Sequence, residues 1–330
     1  MTNADSIPTH SRGSWRSFAY DVGCFVLMLA ALQLTIGPKV RLSQWGVGAD
    51  RNAGVAEGVA WLNGRLDISH EGKDAAHDRM HDTAYFNGKV YNVFPPLIPL
   101  LTVILSPLHY SLIGRADMWL PWPYTLLVFW PLPILGFIAF KRQTGDAAWA
   151  ALFVVAWMGG TAVLPNLAYA RGGELGQINH VVSQAGLLLI AIDLLGRQRI
   201  WPAMIGLFIA TWTRQMCLLY AVPLAFVAWR QRRIGWLTGG LIVIVAPLLT
   251  LNYLKFGNAF DFGYRHIYVN RGDEEMGRRC LEHGVFSTHF FLENLYYMHL
   301  APPRLDISPT ELRLLETGTM GTSIWLTTPL

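Results

Sequence analysis

Apolar runs, several of them of membrane-crossing length, recur along this 330-residue chain, and basic residues gather in the short gaps between them. The runs cover roughly residues 19 to 37, 93 to 113, 118 to 140, 147 to 165, 181 to 196, 202 to 213, 216 to 229 and 235 to 254. A helix needs about 20 apolar residues to cross the hydrocarbon layer, and helices suit that setting because they satisfy every backbone polar group within the segment. The pattern therefore predicts an all-α polytopic membrane protein. Composition agrees, with 52% hydrophobic and only 15% charged residues. Trp15, Tyr20, Trp119, Trp122, Trp201 and Trp236 stand at the edges of runs, where an amphipathic ring meets both lipid and water.

Charge sets the expected orientation. Arg12 and Arg16 precede the first run, which lacks a small-x-small cleavage site, so residues 1–18 read as a cytoplasmic N-terminus before an uncleaved anchor. Lys141-Arg142, Arg197 with Arg199, and the cluster from Arg230 to Arg233 mark cytoplasmic loops. The pair 202 to 213 and 216 to 229 then forms a hairpin whose tip, Thr213-Arg214-Gln215, reaches the outer side. A transmembrane module over 19–254 is followed by a mostly polar extracytoplasmic segment over 255–330, where a new apolar run starts at Ile324 and suggests an incomplete chain. One count does not close. An outer first loop and an inner Lys141-Arg142 need an odd number of crossings between them, yet two runs intervene. The Pro-rich stretches from Phe94 to Gly114 and from Trp119 to Phe140 are the places where a break, a re-entry or a double crossing is expected.

Between the first two runs lies a polar stretch, 38–92, with seven acidic residues. Ordering so long a loop costs entropy and returns little burial, so it reads as a working part. Val55, Val59 and Leu62 repeat at helical spacing beside Ala56 and Ala60, which predicts a short helix lying on the membrane surface with Asp50 in the N-cap position. Glu57 falls seven residues after Asp50, on about the same side of such a helix, either as a paired carboxylate or as part of a wet face. Asn87, Lys89 and Tyr91 alternate, shaping an acceptor entrance or simply a Gly88-centred hairpin. Cys24, Cys217 and Cys280 are too few and scattered for a disulfide framework, and no HExxH motif occurs among the ten histidines. A net charge of +4, held in the inter-span gaps, calls for no nucleic-acid partner.

Three stretches then carry a resemblance: Asp50 followed by AGVAEGVAWL and Asn63-Gly64-Arg65-Leu66-Asp67; DTAYFNGKVYNVFPPLIPLL at 82–101; and LNYLKFGNAFDFGYRH at 251–266. Weaker echoes lie at 176–192, 206–215 and 284–303. Together they resemble the GT-C class of polyprenyl-phosphate-sugar-dependent glycosyltransferases, which includes protein O-mannosyltransferases and aminoarabinose transferases. The resemblance implies a GT-C-like helix bundle in a bacterial inner membrane. It also implies a catalytic Asp after the first span, a polyprenyl-phosphate sugar donor, and a lipid, glycan or protein acceptor. This chain has Asp50-Arg51 where the family often has Asp-Glu, so a non-catalytic membrane subunit remains a reading.

The chemistry itself asks for little. A lipid phosphate is a weakly basic leaving group and needs no protonating acid, so an inverting transfer requires one base and something to hold the developing phosphate charge. Asp50 is the first candidate base and Asp82 the second. Cations, N–H donors or a divalent metal can hold the phosphate. Arg214 is the leading candidate, because an arginine between two apolar helices is costly unless it meets a cavity or an anion, though snorkelling to the interface explains it equally. Arg171 and Lys255 are weaker candidates as loop cations beside a membrane. His180 begins a span near the outer face and is a candidate for donor or acceptor binding, or for a structural role at the helix start. A transporter or flippase of a lipid-linked substrate is the alternative; no inverted repeat or midplane charge supports it.

Overall fold

The structure, a computed structural model, describes residues 15–36, 47–48, 52–69, 83–114, 118–119, 130–160, 178–268, 275–284, 287–301, 304–307 and 312–316. It is mostly helical. The apolar runs become α1 (Trp15–Ile36), α3 (Leu97–Ile113), α4 (Pro131–Thr144), α5 (Ala147–Gly160), α6 (Ile178–Leu194), α7 (Trp201–Thr211), α8 (Ala221–Arg230) and α9 (Ile234–Phe256). Two of these, α1 and α9, are long and apolar enough to cross a membrane; the shorter apolar helices run 10–17 residues. Two expected runs differ from the outcome. Within 118–140 the described helix begins only at Pro131, whose fixed φ suits the first helical turn. The run 216–229 opens as a 3₁₀ segment, Gln215–Tyr220, before α8.

Seven of these helices, all but α3, alternate in direction, so their ends collect at two polar poles. At one pole Lys141 of α4 pairs with Asp21 of α1, and Tyr20 donates to Asp146 Oδ2 at 3.4 Å. Arg142 donates to the Ile192 carbonyl there, and Asp193 accepts from the Arg199 N–H at 3.0 Å and the Ile200 N–H at 2.9 Å. All the predicted cytoplasmic basic clusters sit at this pole. At the opposite pole the Leu97 N–H donates to the Trp212 carbonyl at 2.9 Å, and Lys255 meets Asn92. Buried Met28, Leu32, Leu132, Val154, Met158 and Val181 fill the core between α1, α4, α5 and α6. A second core under α7, α8 and α9 holds Ile190, Leu207, Leu224, Leu237 and Ile244.

Helices α6 and α7 make the closest pair. A Cβ on Gly186 would lie 2.5 Å from the Gly206 carbonyl oxygen, and one on Gly206 would be as tight against Gly186. Only glycine lets two backbones meet so closely, the arrangement small-residue faces give to apolar helix pairs.

The polar stretch after α1 is not a surface helix with a wet face. Its helix, α2 (Ala53–Leu62), packs alongside α3 and buries Ala53, Val55, Glu57 and Ala60. Gly54 faces Ile98 and Gly58 faces Thr102, so the two helices run the same way. The N-cap is Asn52, whose side-chain oxygen accepts from the Gly54 and Val55 N–H groups at 3.0 Å each; the cap falls two residues after the predicted Asp50. Strands β2 (Thr83–Phe86) and β3 (Lys89–Asn92) form the expected hairpin. Asn87 and Gly88 both take positive φ, 49° and 78°, as a two-residue turn matching the strand twist requires.

A two-residue ladder pairs β1 (Val47–Gly48), ahead of α2, with β4 (Met118–Trp119), beyond α3. The chain leaving α3 thus returns beside the chain entering α2. After α9 come a 3₁₀ turn (Tyr264–His266), α10 (Glu275–His283), α11 (Phe291–His299) and a hairpin of β5 (Arg304–Ile307) with β6 (Leu312–Glu316).

Candidate functional site

Helix α2 and the β2–β3 hairpin meet over the ends of α7 and α9. Glu57 of α2 is fully buried and its Oε1 lies 2.5 Å from Lys255 Nζ, itself 3% exposed. Asn92, at the end of β3, joins them: its Nδ2 donates to Glu57 Oε2 at 2.7 Å, and its carbonyl accepts from Lys255 Nζ at 3.0 Å. Asn92 Oδ1 also accepts the Phe94 N–H at 3.1 Å, which turns the chain into Pro95-Pro96 and α3. Burial raises the Glu57 carboxyl above its ordinary value; Lys255 and the Asn92 amide oppose that rise. Glu57 has no surface left for a substrate, and its expected place on a wet face is corrected: its carboxylate is buried against Asn92 of β3 and Lys255 of α9. Lys255 is likewise no solvated loop cation, because α9 continues through Phe256 and holds its ammonium inside.

Beside this brace the chain turns sharply after α7. Arg214 has extended backbone angles, φ −147° and ψ 110°, and starts the 3₁₀ segment. Its guanidinium contacts His180 Nε2 and lies over the Phe94 ring, 5.2 Å from the centroid. An arginine only donates, so His180 accepts at Nε2 and carries its proton on Nδ1. The two residues singled out separately for phosphate are thus brought together at the pole opposite the basic clusters. Next to them Gln215 Nε2 donates to the Val93 carbonyl at 3.2 Å, and Tyr264 Oη donates to Gln215 Oε1 at 3.3 Å.

The remaining expected residues divide. Lys89 projects from the hairpin and pairs with Asp67 at 3.4 Å. Burial alone would raise the Asp67 carboxyl, but Ser69 and Lys89 outweigh it and hold it below its ordinary value. Tyr91 is 7% exposed and packs edge-on against Phe256, 5.5 Å between centroids, so it forms the hairpin's anchor instead of an entrance. Asp50, Asp82 and Arg171 lie outside the described residues.

Sequence reading missed a second buried cluster. Asp261 Oδ1 accepts the Gly263 N–H at 2.9 Å, while Oδ2 lies 2.9 Å from His266 Nε2 and 2.7 Å from Arg265 Nη2. The His266 ring stacks on Phe256 and leans on Phe86, which fastens this loop to the hairpin. The signal was present as Asp261 and His266 five residues apart around a glycine, in the motif already quoted. Asn92 was also missed, although it lies inside the quoted stretch 82–101; Lys255 was named, but as a loop cation without its buried carboxylate partner.

Among the described residues no group of three or more His, Cys, Asp or Glu is placed to hold a metal ion, and Cys24, Cys217 and Cys280 are free thiols. The arrangement offers the Arg214 guanidinium to an anion and ties α2, β3 and α9 together through Glu57, Asn92 and Lys255. No protein-family model, curated protein or solved structure matches the chain.

Proposed function

We propose that the chain is a polytopic inner-membrane glycosyltransferase that moves a sugar from a polyprenyl phosphate to a lipid, glycan or protein acceptor on the outer side. The observation that carries the reading is the meeting of Arg214, His180 and Phe94 at the pole opposite the basic clusters, beside the helix that follows Asp50. In this reading the Asp50 carboxylate takes the proton of the acceptor hydroxyl or amine, with Asp82 as the second candidate. The acceptor atom attacks the anomeric carbon from the face opposite the phosphate and inverts it. The sugar–phosphate C–O bond breaks, its electron pair goes to the phosphate oxygen, and the Arg214 guanidinium meets that developing charge. Phe94 and His180 orient the guanidinium, so little reorganisation remains at the moment of transfer.

The test uses membranes containing the protein, supplied with radiolabelled polyprenyl-phosphate sugars. Replacing the responsible aspartate in Asp50→Asn or Asp82→Asn lowers transfer by about 10²–10⁴-fold, the usual contribution of a general base. Arg214→Gln also lowers it, and Arg214→Lys does not restore it, because a point charge lacks the bidentate fork. Transfer that survives both aspartate substitutions removes the base assignment. Lipid movement without transfer from any donor replaces the reading with a flippase.

A further inference from the structure

A groove of about 1090 Å³ opens between α7 and the first turns of α9, at the pole opposite Arg214. Met204, Ile205 and Phe208 form one wall; Gly239, Val243 and Ile244 form the other. Its volume matches an organic ligand and far exceeds a water or a simple ion. The α9 wall is recessed because Gly235 and Gly239 leave open space where side chains would stand. Arg199 and Arg233 sit at the mouth, and an adjoining cavity of about 450 Å³ shares Gly235 and adds Arg230 and Arg232.

These four arginines form no ion pair with a carboxylate among the described residues. Asp193, the acidic residue of the neighbouring turn, has both oxygens occupied by the Arg199 and Ile200 N–H groups. A cluster of like charges beside an apolar groove is complementary to one kind of molecule, an acyl chain ending in an anionic headgroup. Basic clusters at the cytoplasmic edge of a membrane protein meet such headgroups. We infer that this groove holds one anionic glycerophospholipid, its acyl chain along α7 and α9 and its phosphate among Arg199, Arg230, Arg232 and Arg233. The site is separate from the donor site at the outer pole. It uses the proposed membrane placement but none of the transfer chemistry.

The experiment is native mass spectrometry of the purified full chain in detergent, equilibrated with equimolar phosphatidylglycerol and phosphatidylcholine. One phosphatidylglycerol is retained in preference to phosphatidylcholine. The double variant Arg199→Gln/Arg233→Gln loses that preference at least tenfold. Gly239→Leu fills the groove without a clash, since nothing lies within 4 Å of a Cβ there, and it lowers retention of both lipids at this position. Thermal unfolding in detergent identifies any variant that does not fold, and the other variant then decides. Equal retention of the two lipids by the wild type, or retention unchanged in the folded variants, overturns the inference. Transfer activity is measured separately, so loss of the glycosyltransferase reading leaves this result intact.

Discussion

Lys255 and Glu57 depend on each other. Removing one partner of a buried pair leaves a charge without compensation and costs about 3–5 kcal/mol, whereas replacing both with uncharged residues is often close to neutral. Lys255→Met is therefore expected to destabilise the protein by about 3–5 kcal/mol in detergent unfolding, and Glu57→Gln/Lys255→Met to recover most of that loss. Asp261 gives a pH signature. Burial works against its charge, but the Gly263 N–H, His266 and Arg265 outweigh it and hold its carboxyl below the ordinary 3.8. With the folded value depressed, the contribution is complete above the ordinary unfolded value and is lost as pH falls from there through the folded value. Protection of the amides across residues 261–266, taken as the ratio to intrinsic exchange at each pH, should fall in that acid window, and Asp261→Asn should remove this pH dependence. Little of this was legible. Lys255 sits in a Leu-Lys-Phe run that reads as a snorkelling end, and nothing in a local pattern names a carboxylate far away in sequence as its partner.

At the scale of elements, periodicity located α2, the hairpin and most of the apolar helices, because helix and turn chemistry are local. It could not say which face of α2 is covered. That helix is apolar nearly all round, with Gly54 and Gly58 on the side α3 occupies, so its spacing fits a surface helix and a buried one alike. The cap moved to Asn52 for a related reason: Asp50 and Asn52 are both good caps, and backbone direction decides between them. The α2–α3 contact can be tested. A Cβ on Gly58 would lie 2.5 Å from Thr102 Cβ and 2.8 Å from the Pro99 carbonyl oxygen. Gly58→Val should therefore cost about 1–3 kcal/mol by overpacking, measured by denaturant unfolding, and should raise protease sensitivity of the outer loop.

For the whole molecule, the two-residue ladder of β1 with β4 bears on the crossing count that the apolar runs leave open. If this open-edged strand pair lies outside the hydrocarbon layer, both ends of α3 share the side of the polar stretch between α1 and α3. A single crossing before Lys141-Arg142 would then close the parity; the helix in that place, α4, has 14 residues and is shorter than the candidate spans α1 and α9. In a background with Cys24, Cys217 and Cys280 changed to alanine, Ser111→Cys should react with an impermeant maleimide added outside, and Thr144→Cys only after permeabilisation. The reverse pattern would make α3 a crossing helix. The architecture of helices was readable from hydropathy, whereas this return of the chain is a non-local pairing that no run length encodes. The Glu57–Lys255 brace also has a consequence in time. Glu57 is synthesised early and its cation arrives only with the end of α9, so until then α2 would have to bury a carboxylate without its counter-ion. The brace can close only when the end of α9 is in place, which makes the pair a check on the arrival of that helix beside α2 and β3.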